Sequence, residues 1–149
     1  MFELELVNNE EIMIKTKTKT VKVNVAQSTI DADLRVGKIG GAGEFEIGDI
    51  YIVGTALKKG GVMYRVQAEG ISLGIVGERA ESLDLDDLGP VDILATSEAK
   101  FVPIVEPKIL IPMGKMDFSE IKASVKVAER LKIKNAAALP ASLEIYKLD

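Results

Sequence analysis

The sequence contains no histidine and no cysteine, and the two absences exclude large classes of chemistry. Without histidine, the chain has no side chain that titrates near neutral pH unperturbed, no imidazole general base and no nitrogen ligand for zinc. Without cysteine, it has no disulfide, no thiol nucleophile and no sulfur-ligated metal. Most familiar hydrolase mechanisms therefore lack the side chains that they need in this sequence. We expect no cofactor.

Long apolar runs are also missing. A membrane-spanning helix needs about 20 apolar residues, whereas the longest candidate run, at residues 109–111, is stopped by Pro112. The N-terminal sequence MFELELVNNEE lacks both the basic and the apolar part of an export signal. The sequence therefore predicts a cytoplasmic protein with no membrane partner.

What is present is typical of one globular domain. The 149 residues are 47% hydrophobic and 28% charged, enough for a single domain, residues 1–149, with its own core. The formal net charge of −4 comes from 19 basic and 23 acidic residues. Because these charges are scattered rather than clustered, we expect no nucleic-acid partner.

The first half of the chain has the alternation of short strands. Apolar residues alternate with polar ones around the turn Asn8-Asn9, which predicts a hairpin. The phase of alternation then changes before Val21, so a second turn is expected within the stretch KTKTKT. Three further strands, IYIVGTAL, VMYRVQA and ISLGIVG, follow at a spacing of about ten residues.

The pattern changes after Pro90. The short apolar runs at 91–95 and 108–111 do not alternate, which predicts strands that are buried on both faces. Apolar residues then recur at steps of three and four over 118–131, with Asp117 and Glu120 as a capping box, and predict one long helix. Residues 143–148 are expected to form a closing strand.

Three motifs favour structural over functional interpretations. The glycines in Gly40-Gly41-Ala42-Gly43 fit no phosphate-binding motif, and a strand follows them, so a tight turn is favoured. The acidic stretch at 78–87 lacks the order of a calcium loop and is interpreted as a solvated loop. The lysines at 15–22 alternate with threonine and have no interleaved aromatics, which indicates a protected strand edge rather than a nucleic-acid site.

The stretch from about 39 to 112, roughly half of the chain, resembles the metallo-β-lactamase superfamily. The resemblance lies in IGGAGEFEIGDIYIVGTAL, GISLGIVGE, LGPVDILA and above all VEPKILIPMGKM. Their order and spacing are similar to the later part of the small ascorbate-phosphate-lactonase-like hydrolases. The resemblance implies an α+β fold, a two-sheet β-sandwich with helices outside. Here the helices are expected to be reduced to the one near 118–131.

The resemblance also implies which metal ligands have been lost. The family's loop histidine falls near Ala56 or Leu57, its bridging aspartate on Glu78, and the histidine of its IPMH motif on Gly114. The histidine-and-aspartate motif expected after Asp33-Leu34-Arg35-Val36 is missing. Zinc sites take three or four protein ligands, so the single remaining carboxylate predicts loss of metal and of the ancestral hydrolysis.

A helix that relatives place between the two buried strands is also missing, and a dozen residues, TSEAKFVPIVEP, connect them instead. We expect the uncovered sheet surface to be apolar and to promote self-association or binding of another protein. The candidate interface residues are Phe101, Val102, Ile104 and Val105, although the same residues are equally suited to the core.

Two functions of different classes follow. The first is a non-catalytic, metal-free structural or protein-interaction module. The second is a small-molecule binder or hydrolase that reuses the old cleft with carboxylates and lysines, for which Glu78, Glu98 and Lys115 are candidates. The first is preferred because no set of base, nucleophile and orienting group is evident in the sequence.

Overall fold

Two β-sheets dominate the computed structural model, which describes residues 1–32 and 38–149. The strands, in chain order, are β1 Phe2–Asn8, β2 Glu11–Lys15, β3 Thr20–Asn24, β4 Thr29–Ala32, β5 Lys38–Gly40, β6 Gly43–Ile47, β7 Ile50–Ala56, β8 Val62–Ala68, β9 Ile71–Val76, β10 Ile93–Thr96, β11 Ile109–Pro112, β12 Ser124–Ala128, β13 Leu131–Ile133 and β14 Glu144–Leu148. Helical structure is limited to short pieces, α1 Leu85–Leu88, α2 Val102–Val105 and the 3-10 turns Ala99–Phe101 and Ala136–Ala138. Within the described residues, no helix has the length and apolar character needed to cross a membrane.

The first sheet has the strand order β13-β1-β2-β3-β4-β5, and the second has the order β12-β14-β11-β10-β9-β8-β7-β6. All pairs in the first sheet are antiparallel. In the second sheet, β6 to β9 form an antiparallel meander, whereas β9, β10, β11, β14 and β12 run parallel to one another. The predicted hairpin, meander and closing strand are confirmed.

The core has two layers. One apolar cluster fills the space between the sheets, and the other lies on the outer face of the second sheet. Strands β10 and β11 supply side chains to both clusters and are buried along their whole length. This explains why their sequences show no alternation and confirms the prediction of strands covered on both faces.

The expected turn in KTKTKT joins β2 to β3. The N–H of Thr16 donates to the carbonyl of Lys19 at 2.8 Å, and the Thr16 hydroxyl donates to Oδ1 of Asp49 at 2.8 Å. Asp49 follows β6 of the other sheet, so this contact links the two sheets at one end. Desolvation raises the pKa of Asp49. Hydrogen bonds from Thr16 and Thr18 lower this pKa by more than desolvation raises it, so the pKa lies below its usual value.

The predicted helix over 118–131 is wrong. Residues 118–123 pass over the outer apolar cluster without forming a helix, and β12 then joins the edge of the second sheet beside β14. The carboxylate of Asp117 accepts the N–H of Ser119 at 3.0 Å, as in an Asx turn, and does not cap a helix. Val125, expected at the centre of the helix's buried stripe, is 48% exposed.

The apolar residues at 118–131 have helical spacing although they do not lie on one face, because they pack into two different apolar clusters. Phe118 and Ile121 pack against the outer cluster, whereas Ala128 and Leu131 belong to the cluster between the sheets. A strand was favoured instead because β14, later in the sequence, offers a parallel backbone partner for β12. Pairing with a distant segment overrides a local periodicity.

The outer face of the first sheet is polar. Glu3 lies opposite Lys15 across β1 and β2, and Lys22 lies opposite Asp31 across β3 and β4. Opposite charges at paired positions stabilise a solvated sheet face. The interpretation of the lysines at 15–22 as a protected strand edge is wrong for Lys15 and Lys22. These two lie on β2 and β3, and each of these strands is flanked by other strands on both sides.

Candidate functional site: a cleft at one end of the sandwich

A cleft of about 270 Å³ lies where the parallel strands β9, β10 and β11 end. Parallel strands that run side by side bring their carboxyl ends to the same edge of a sheet, the usual place for a ligand in such sheets. Residues far apart in sequence, Glu78 after β9, Ser97 after β10 and Gly114 after β11, therefore line one cavity.

Loops from both sheets complete the cleft. The β1–β2 turn contributes Asn9 and Glu10, and the β3–β4 turn contributes Val25 and Ala26. These two turns are joined by a hydrogen bond of 3.0 Å from the N–H of Val25 to the carbonyl of Glu10. The β7–β8 loop is closed by a 3.0 Å bond from the N–H of Leu57 to the carbonyl of Gly61. The walls are thus fixed by backbone contacts.

The cleft has an apolar floor and a charged rim. The buried floor residues are Leu57, Val62, Val76 and Met113. The exposed charged residues that line it are Glu10, Glu78, Arg79 and Lys115. Two carboxylates and two cations leave the rim without a dominant sign of charge.

The positions that the resemblance assigns to metal ligands meet in this cleft. Leu57, Glu78 and Gly114 all line it, whereas Ala56, the alternative to Leu57, does not. The segment in which the first ligand motif is missing, around 33–36, lies outside the described residues. Three separate segments of the chain therefore bring Leu57, Glu78 and Gly114 to one cleft.

The donor set of the cleft does not fit zinc. Of the three aligned positions only Glu78 has an oxygen donor, because leucine and glycine side chains have none. Across residues 1–32 and 38–149, no group of three or more side chains of the metal-binding types is close enough to hold an ion. We derive no metal-dependent step for this site.

The other predicted residues have structural positions. Glu98 does not line the cleft, and its N–H donates to Oγ1 of the buried Thr96 at 3.2 Å. In the acidic stretch, the buried carboxylate of Asp84 accepts the N–H of Glu81 at 2.8 Å, which makes it part of a turn. The predicted tight turn at Gly40-Gly41-Ala42-Gly43 is confirmed between β5 and β6, where the N–H of Gly41 donates to the carbonyl of Ser28.

The four candidate interface residues divide between core and surface. Phe101 is fully buried and Val102 nearly so, and both belong to the outer apolar cluster. Val105 is half-buried against the same cluster, and Ile104 is 47% exposed. For Phe101 and Val102 the structure therefore agrees with the alternative of a core position, because both side chains cover the sheet.

Sequence reasoning missed several cleft residues, among them Asn9, Glu10, Arg79 and Ser97. Arg79 and Ser97 had a usable signal, since each follows the end of a predicted buried or meander strand. Asn9 and Glu10 had none, because only the packing of the first sheet on the second brings the β1–β2 turn to the cleft.

Comparison with known proteins identifies the fold. No family model and no curated protein matches the sequence. A crystal structure of a protein from Thermotoga maritima, described as a Zn-dependent hydrolase of the metallo-β-lactamase superfamily, superposes with a TM-score of 0.72. It covers 99% of this chain and 100% of its own, at 13% sequence identity. The chain therefore has the metallo-β-lactamase-like fold, which confirms the expected two-sheet sandwich.

Proposed function

We propose that the protein is a non-catalytic, metal-free relative of the metallo-β-lactamase-fold hydrolases that works as a structural or protein-interaction module. The observation that supports this is the state of the cleft. It persists at the ends of the parallel strands, yet its aligned ligand positions are Leu57, Glu78 and Gly114. The positions that the resemblance assigns to metal ligands are thus grouped in one cleft, but only Glu78 among them has an oxygen donor.

The remaining side chains of the cleft do not form a catalytic set. Ser97 and Lys115 line it together with Glu78. Within the described part of the chain, no hydrogen bond joins any two of these three. A nucleophile needs a base within hydrogen-bond reach and a third group that orients the base. The arrangement favours binding over turnover.

The first prediction concerns metal. After dialysis against excess zinc and then against buffer, elemental analysis is expected to find zinc far below one equivalent, because the two carboxylates of the cleft, Glu10 and Glu78, cannot replace three or four ligands. Assays on phosphodiesters and lactones are expected to show no turnover. About one equivalent of retained zinc, or turnover lost with a chelator, would contradict the proposal.

Restoring one ligand provides a sharper version of this test. Gly114→His is expected to bind no zinc and to gain no activity, because single members of a ligand set are far from additive. Gly114 has a φ of 61°, so any side chain there is strained. Gly114→Asn is the matched control, since asparagine tolerates this backbone region better than other residues.

The second prediction concerns the partner, for which we propose a second copy of the chain. Support comes from exposed aliphatic residues on the outer side of the second sheet. Val125 lies opposite Ile145 of the outer cluster, so it projects to that side, as does Val127 two residues on. Ile104, from the segment covering that side, is also exposed. Exposed apolar patches mark interfaces, and two-fold dimers are the commonest assembly.

Light scattering at micromolar concentration is expected to give the mass of a dimer. Ile104→Asp is expected to shift it toward the monomer, while Val7→Asp, an equally exposed valine in β1 of the other sheet, is expected to leave it unchanged. A monomer mass at all accessible concentrations would refute the homodimer and leave a different protein as the partner.

A further inference from the structure

We propose that the cleft binds a small zwitterion with an apolar side group, of the size of a hydrophobic amino acid. The inference rests on the proposed non-catalytic role of the cleft and adds the chemical class of its ligand. It is carried by three features of the lining: volume, an apolar floor and balanced charge at the rim.

The volume sets the size of the ligand. Small-molecule sites usually span about 300–1,000 Å³. At about 270 Å³ the cleft lies just below this range, so it suits a single compact metabolite better than a nucleotide or a long chain. Its walls are backbone-bonded turns, which favours a site that exists before the ligand binds.

The floor sets the apolar part of the ligand. Leu57, Val62, Val76 and Met113 are buried aliphatic or thioether side chains from four different segments. Val76 and Met113 are at most 1% exposed, so a short apolar group would contact mainly the half-buried Val25 and the exposed edges of Leu57 and Val62.

The rim sets the charges of the ligand. Arg79 and Lys115 can pair with a carboxylate, and Glu10 and Glu78 can pair with an ammonium group. A phosphate or sulfate ester would meet two carboxylates beside the two cations, and like-charge contacts of this kind oppose binding. A molecule that has one group of each sign is complementary to a rim that contains both carboxylates and cations.

Among the residues that the structure describes, the four rim residues form no salt bridge. Salt bridges among the described residues use other partners, namely Met1 with Glu69, Lys59 with Glu81, Lys126 with Glu144 and Arg130 with Glu3. Glu10, Glu78, Arg79 and Lys115 are all exposed. Pairing with a ligand would therefore break no ion pair observed in this part of the chain.

The test is an NMR titration of the full chain with L-phenylalanine and L-leucine and with two charge-deleted analogues, 3-phenylpropionate and phenethylamine. The amino acids are expected to shift backbone signals at residues 57, 78 and 114, with affinity at least about tenfold higher than either analogue, since each charged hydrogen bond is worth about that factor. Inorganic phosphate is expected to bind more weakly than either amino acid.

Two variants test the contact with the ammonium group and the contact with the carboxylate of the ligand separately. Glu78→Gln is expected to weaken binding of the amino acids about tenfold but not that of 3-phenylpropionate, and Lys115→Gln is expected to do the same for the amino acids but not for phenethylamine. Glu129→Gln and Lys132→Gln, exposed residues away from the cleft, serve as matched controls. Unchanged spectra establish that each variant folds.

Absence of cleft shifts at millimolar amino acid would overturn this inference, as would equal or tighter binding of phosphate or of a charge-deleted analogue. Either result leaves the non-catalytic role standing, because that role is judged by zinc content and turnover. Conversely, hydrolysis of a bound lactone or phosphodiester would defeat the proposed function even if amino acids bind.

Discussion

Replacing Ile145 by aspartate is expected to abolish folding. Ile145 is fully buried in β14, between β11 and β12, and packs in the outer cluster of the second sheet. An unpaired carboxylate there would cost more than about 4 kcal/mol, close to the whole stability of a domain of this size. Ile145→Ala, which leaves a cavity and no charge, is expected to cost about 2–5 kcal/mol.

Val125→Asp is the matched control, because Val125 is the register partner of Ile145 on the neighbouring strand. Its side chain is 48% exposed at the edge of the sheet, so the same aspartate is expected to cost about 1 kcal/mol or less. Circular dichroism in buffer tests whether Ile145→Asp folds, and urea unfolding measures the loss of stability in Val125→Asp and Ile145→Ala. Comparable losses at the two positions would show that β12 is not an edge strand.

Phe101→Ala is expected to cause the second large loss, about 3–5 kcal/mol of unfolding free energy. Phe101 is fully buried where the 3-10 turn meets α2, and it covers the outer face of the second sheet. Ile104→Ala, three residues on in the same segment, is expected to change stability by about 0.5 kcal/mol or less, because Ile104 is 47% exposed.

The variants Phe101→Ala and Ile104→Ala together show whether this segment stabilises the fold or forms an interface between copies of the chain. Stability of the Phe101 variant is measured by denaturant unfolding, and the mass of the Ile104 variant by light scattering. If Phe101→Ala retained full stability and changed only the mass, Phe101 would be an interface residue after all, and the covering role assigned to this segment would be wrong.

Much of the sheet structure could be read from the chain because it depends on local alternation. The hairpin around Asn8-Asn9, the phase change before Val21 and the meander from IYIVGTAL onward each follow from which residues face the core. The absence of histidine and cysteine also excludes imidazole nitrogen and thiolate sulfur as metal ligands in the cleft, whatever the fold.

Only the tertiary structure decided how the C-terminal segment folds and which residues form the cleft. Residues 118–131 have helical spacing, but parallel pairing with β14 stabilises a strand in place of a helix, and no local pattern reports a partner that lies later in the chain. Likewise Glu10, Glu78, Ser97 and Gly114 share one cleft because parallel strands end at one edge and the first sheet packs across it. Sequence specifies side-chain chemistry and local alternation directly, whereas long-range pairing depends on the packing of the whole chain.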